Sequence, residues 1–149
     1  MKEDAIHVWL VLFKAARAVE RCAKASIDGL DLGLSDFAAL ELLLHKGPQP
    51  VNVIGRKVLL TSGSITAAVD RLEARGLLRR SVDAEDLRSR IVTLTPAGRK
   101  LAEQAFAQHA LDMEETMAVL RPREREDLIR LLKKVGLWAA ARAESDEAA

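Results

Sequence analysis

Apolar residues recur at steps of three and four near the start of the chain, at Trp9, Leu12, Phe13, Ala16, Val19 and Ala23. That spacing lines one face of an amphipathic helix from about Ala5 to Asp28. Gly29 and Gly33 punctuate its end, and Ser35 is the expected cap of a second helix, Asp36 to about Lys46. This helix carries Phe37, Leu40, Leu43 and Leu44 and stops at Gly47-Pro48. Pro50 opens a short third helix, Val51 to about Val58. A brief turn, Leu59 to Thr61, leads to a fourth that starts near Ser62 under a Thr61 or Ser62 cap. Ile65, Val69 and Leu72 form its inward stripe, and Gly76 follows Arg75 where a left-handed C-terminal cap belongs.

The period then changes. Leu77 to Val82 and Arg90 to Leu94 are short, β-rich runs joined by the polar loop Asp83 to Ser89, which predicts a two-stranded hairpin. No other part reads as strand. Thr95-Pro96 supplies a capping hydroxyl and a first-turn proline for a fifth helix, whose stripe runs from Leu101, Ala102 and Ala105 through Phe106 to Met113, Met117 and Leu120. Pro122 opens a last helix with Leu128, Leu131, Leu132, Val135 and Trp138 on one side. The acidic tail from Glu144 is expected to fray. The fold class is therefore mainly α with a small β-hairpin, in one domain of 149 residues.

Composition narrows the picture. Half the chain is hydrophobic (49%) and 30% is charged, so disorder is not the default. With 3% aromatics and no Tyr, the core must come from Leu, Val, Ile and Ala. No run is long enough to span a membrane, and the opening lacks the features of a signal peptide. The lone Cys22 allows no intrachain disulfide, so a cytoplasmic setting is expected. Net charge is +1, but it is unevenly spread. Residues 50–99 hold nine basic and five acidic side chains, whereas the flanking thirds are net acidic. A basic middle suits a phosphate-binding surface.

Two short helices and a tight turn, followed at once by a hairpin, make a unit whose second helix fits the major groove of duplex DNA. With Ile65, Val69 and Leu72 inward, that helix presents Ser62, Gly63, Thr66, Ala67 and Asp70, flanked by Ser64 and Arg71. Small hydroxyl residues at its start permit close approach and can donate to bases or phosphates, although Ser62 and Ser64 would serve equally as caps. Arg88 and Arg90 near the hairpin tip can reach an adjacent minor groove, with Arg79 and Arg80 at the base. A surface arginine is commonly just solvated, so it is the combination that points to DNA.

The stretch Leu60 to Thr66, then Val69-Asp70-Arg71-Leu72-Glu73-Ala74-Arg75-Gly76-Leu77, resembles the recognition helix of the MarR (multiple antibiotic resistance regulator) transcription factors. Asp86-Leu87-Arg88-Ser89, Val92, Leu94-Thr95 and Ala97-Gly98 are similar to that family's wing and the helix after it. The resemblance implies a winged helix-turn-helix lobe at about 35–95, with dimerisation helices at about 5–30 and 96–143. It also implies a homodimer on a near-palindromic double-stranded operator, more often as repressor than activator. Long apolar stripes on the terminal helices independently favour a partner subunit. Half-sites are then expected roughly 10 base pairs apart. Carried over by position, Arg88 is the wing-tip arginine and Asp86 orients it by a salt bridge; Asp86 also reads as a turn residue, and the two roles are compatible. Leu59 and Leu87 depart from the family pattern.

Family members are commonly released from DNA by a small aromatic or phenolic effector. Trp9, Phe13 and Arg17 are the candidate pocket, against the plainer reading that Trp9 and Phe13 pack in the core. Cys22 offers a thiol-based alternative, but the family's peroxide sensors use tyrosines absent here, which favours a buried or bystander cysteine. His7, His45 and His109 lack ligand spacing, so no metal is expected, and no cofactor. Motifs of catalysis are missing, which argues against an enzyme. A winged interaction module without DNA binding is the remaining rival.

Overall fold

The computed structural model describes residues 4–58 and 62–147. Their order is α1 (Ala5–Ala25), a 3₁₀ turn (Asp28–Leu30), α2 (Leu34–Lys46), β1 (Gln49–Pro50), α3 (Val51–Lys57) and α4 (Ser62–Ala74). Then follow β2 (Leu78–Val82), β3 (Arg90–Leu94), α5 (Pro96–Thr116) and α6 (Pro122–Glu147). The turn expected at 59–61, with its Leu59 and its Thr61 cap, lies outside the described residues, as does the Ser62 side chain. Two compact units result, Met1–Met113 and Glu114–Ala149.

In the first unit, α2, α3 and α4 close over a sheet ordered β1-β3-β2, all antiparallel. Leu78 pairs with Leu94 and Arg80 with Val92, so Leu78 and Val92 turn inward while Arg79 stays outside. Ile27, Phe37, Leu40, Leu43, Ile54, Ile65, Val69, Leu72 and Val92 form one buried cluster, joined by Ala102 and Ala105 of α5. Ile65, Val69 and Leu72 are the inward stripe that helical spacing required.

Three local expectations are corrected. Ser35 is not the cap of α2: the helix begins at Leu34, and the Gly33 carbonyl accepts from the Phe37 N–H at 2.9 Å. A third strand exists, since Gln49 and Pro50 pair with Val92 and Ile91. Pro50 lacks an N–H and is tolerated there because β1 is an edge. The acidic tail does not fray at Glu144, for α6 continues to Glu147.

The exit of α4 follows the expected glycine cap. Gly76 has φ 72°, its N–H reaches the Glu73 carbonyl, and the Leu77 N–H reaches Leu72, both at 2.9 Å. Those two bonds with a left-handed residue between them make a Schellman ending, and buried Leu72 and Leu77 supply its apolar contact.

The apolar face of α1 is different. None of its residues is buried, and Ile6, Trp9, Val11 and Phe13 are half exposed or more. In the second unit, Ile129, Leu131, Val135, Leu137 and Trp138 of α6 are likewise exposed.

Candidate nucleic-acid interface

The outer face of α4 carries Gly63, Ser64, Thr66, Ala67, Asp70 and Arg71, all exposed, as the inward stripe dictates. Beside it stands the β2–β3 hairpin. Between the two, with α3 as the third wall, runs an open groove of about 620 Å³ lined by Asn52, Arg56, Thr66, Arg80, Arg88 and Arg90, among others. Its walls are rich in guanidinium groups, and it sits where a phosphate backbone would pass between helix and wing.

The basic side chains of this region have different jobs. Arg71, expected at the DNA surface, donates to buried Asp36 at 2.7 Å and ties α4 to the first turn of α2. That bond raises the Arg71 pKa, chiefly through the hydrogen bond to Asp36. Arg75 donates to the carbonyl of Asp31 at 2.7 Å and of Leu30 at 3.4 Å, fixing the loop after the 3₁₀ turn. Arg80 donates to Asp70 and, at 3.3 Å, to Glu73; its own N–H also reaches Glu73 at 3.0 Å. The Asp70 bond is the main reason its pKa is raised, and the set locks the base of the hairpin to α4.

At the hairpin tip, Asp86 accepts from the backbone N–H of Arg88 at 3.0 Å, while its carbonyl accepts from Ser89 at 2.9 Å. Asp86 therefore shapes the loop as a turn residue; no salt bridge to Arg88 forms among the described residues, which corrects that expectation. Arg90 curls back, donating to the Leu87 carbonyl at 3.1 Å and the Ser89 carbonyl at 3.2 Å. The Arg88 guanidinium has no partner among the described residues and is exposed at the tip.

Arg56 and Asn52 were not singled out by sequence. They enter the groove only because α3 packs on α4, and the one available hint was that Arg56 precedes Lys57 at the end of a helix.

On α1, the rings of Trp9 and Phe13 stack at 5.8 Å, and the Arg17 guanidinium lies 5.7 Å from the Phe13 ring centre. The three are thus together, as spacing required, but Trp9 and Phe13 are about half exposed rather than core. Arg17 also pairs with Glu20 at 3.3 Å. Cys22 is exposed, which removes the reading of a buried thiol. His45 and His109 lie against Phe106 and Phe37, and His109 Nδ1 is 2.7 Å from Ser26 Oγ. Among the described residues no three potential ligands gather into a metal site, and no helix is long and apolar enough to cross a membrane.

Known proteins share this arrangement. The model of the MarR family matches residues 32–89. The HTH-type transcriptional regulator MhqR of Bacillus subtilis is 40% identical over 139 residues, 93% of this chain and 96% of that protein. The transcriptional regulator BldR of Sulfolobus solfataricus superposes with a TM-score of 0.79 at 28% identity, over 91% of this chain and 97% of that one. BpsR of Bordetella bronchiseptica, whose DNA binding is regulated by 6-hydroxynicotinic acid, gives a TM-score of 0.78 at 28% identity, over 87% and 98%.

Proposed function

The chain belongs to the MarR family of transcriptional regulators and has its winged-helix fold; from that premise we propose that it binds a near-palindromic DNA operator as a homodimer and is released by a small aromatic effector. The whole chain then works as one domain, in which residues 35–95 read DNA and the flanking helices pair two copies. The observation that carries the reading is the groove between α3, α4 and the wing, where Arg56, Arg80, Arg88 and Arg90 outnumber the single carboxylate, Asp86.

In this reading α4 enters the major groove, and Gly63, Thr66 and Ala67 let it lie close to the base edges. Ser62 and Ser64 stand at its amino end, where the helix dipole favours a phosphate. Arg88 reaches the neighbouring minor groove, and Arg56 and Arg90 face the backbone between. Arg71 contributes by holding α4 to α2 rather than as a primary contact. Asp36 and Asp70 neutralise arginines that would otherwise bind DNA without specificity.

Dimerisation is supported by the run of large exposed apolar residues on α1 and by a second run on α6. An aromatic effector is supported by the Trp9–Phe13 stack with Arg17 beside it, a ring surface and a cation suited to a planar acid or phenol. The regulation of BpsR by 6-hydroxynicotinic acid makes the same chemical class reasonable here. A thiol switch has the exposure of Cys22 in its favour and nothing to polarise it.

The test is competitive. Duplexes selected by the purified protein from a random library are bound, then challenged with benzoic, nicotinic and phenolic compounds and separately with an organic peroxide. Release by an aromatic compound in both wild type and Cys22→Ser supports the proposal. Release by peroxide alone, lost in Cys22→Ser, would replace it with the thiol mechanism, and failure to select any duplex would leave an interaction module.

A further inference from the structure

The root of α5 is fastened to the exit of α4 by one hydroxyl and by close backbone contact. The Thr95 hydroxyl donates to the Gly76 carbonyl at 2.6 Å and accepts from the Gly98 N–H at 3.0 Å, so one oxygen joins the glycine cap that follows α4 to the first turn of α5. The Thr95 N–H adds a bond to the Leu77 carbonyl at 3.1 Å. Gly98 is buried against that same carbonyl: a Cβ there would overlap its oxygen and come within 2.8 Å of its carbon. By contrast, Gly29, Gly33, Gly63 and Gly136 have open space where a Cβ would stand. At Gly98 itself no side chain separates the two backbones. Farther along α5 the contacts are side chains, Ala102 and Ala105 in the core and Phe106 and His109 against His45 and Phe37. Side chains are the part of a packed interface that yields most easily.

We infer that Thr95 and Gly98 form a clasp that sets the angle between α5 and the DNA-reading unit, and through it the spacing of half-sites the dimer accepts. The inference rests on the DNA-binding reading above. α5 is a continuous helix of 21 residues, roughly 31 Å long. Tilting it by about 5° at its root displaces the far end by roughly 3 Å, close to the 3.4 Å between base pairs. If α5 is held in the dimer, the reading unit swings instead. A rigid root thus holds the two recognition helices in register to about one base pair, which a soft root would not. Thr95 and Gly98 are positioning residues: they act through α4 and touch no base.

The experiment uses full-length wild type, Gly98→Ala, Thr95→Val and Thr95→Ser. Each is titrated by anisotropy against a palindromic duplex selected by wild type, against versions with one or two base pairs inserted or removed between half-sites, and against a duplex with one half-site scrambled. Wild type should prefer the selected spacing by about tenfold or more over a one-base-pair change, the scale of a single lost contact. Gly98→Ala should lose most of that preference or move its optimum, while binding the single half-site within about twofold of wild type. If Gly98→Ala instead binds all duplexes equally weakly, the reading unit itself is damaged, and the threonine pair decides. Thr95→Val must then flatten the spacing profile and Thr95→Ser must restore it; failure of either overturns the clasp. A wild-type spacing profile in Gly98→Ala also overturns it. Wild type that selects no duplex overturns the DNA reading and the clasp together, whereas normal wild-type selection with unchanged variants overturns the clasp alone.

Discussion

Among single residues, Asp36 and Arg71 show how the recognition helix is held. Asp36 is the one buried charged side chain among the described residues, and Arg71, about half exposed, is its partner. Removing Arg71 would leave the carboxylate without its hydrogen-bond partner. Solvent already reaches the guanidinium, so the loss is well below that of a fully buried pair. Arg71→Ala is expected to cost about 1–2 kcal/mol, read as a lower denaturant midpoint at unchanged slope. An unchanged midpoint would mean that apolar packing alone fixes α4 on α2. The pair was invisible in the sequence because 35 positions separate its members and neither sits in a recognisable pattern. Arg88 was legible for the opposite reason: a hairpin tip is exposed whatever else the fold does.

At the level of elements, local chemistry was readable and pairing across the chain was not. Thr95-Pro96 and Gly76 declare a helix start and a helix end within a few residues, and both stand where expected. Ser35 failed as a cap because the helix could start two residues earlier on the Gly33 carbonyl, with Asp36 still in the favourable first turn. Strand β1 is too short to leave a period and exists only because β3 passes beside it. The start of α6 offers a check by pH. Glu124 accepts from the Arg121 N–H at 2.8 Å and pairs with its guanidinium at 2.7 Å, so its carboxylate supplies one half of a capping box at the first turn. The guanidinium bond chiefly, with the backbone bond second, holds the Glu124 carboxyl below the usual carboxylate range. A group with a depressed folded pKa stabilises fully above its unfolded value and loses that contribution as pH falls through the folded one. Wild type should therefore melt higher than Glu124→Gln at neutral pH, and the gap should close below about pH 4. A gap that stays constant down to pH 3 would remove ionisation from the explanation.

For the whole molecule, the apolar residues along α1 and α6 make sense only if another surface covers them. A second copy is the economical choice, and the two-site DNA reading proposed above needs one. Leu131→Glu should convert the dimer to monomer in light scattering and weaken operator binding about a hundredfold or more, as the gain from two linked half-sites is lost. A dimer that survives the substitution would move the interface off this part of α6. Charge at this scale was legible from the start: the excess of basic residues in 50–99 coincides with the groove-bearing unit, although salt bridges and carbonyl contacts engage Arg71, Arg75, Arg80 and Arg90.

On the proposed reading, the groove between α4 and the wing holds a phosphate backbone, once per subunit. The most direct measurement is the salt dependence of affinity for a selected palindromic duplex, for wild type and for Arg88→Ala. With several phosphate contacts from each of two subunits, log K should fall with log salt at a slope of roughly −5 to −9. Arg88→Ala should make that slope shallower by about 2, one contact per subunit, and weaken binding at least tenfold at physiological salt. A slope near zero in wild type, or an Arg88→Ala curve that overlays it, would contradict the account.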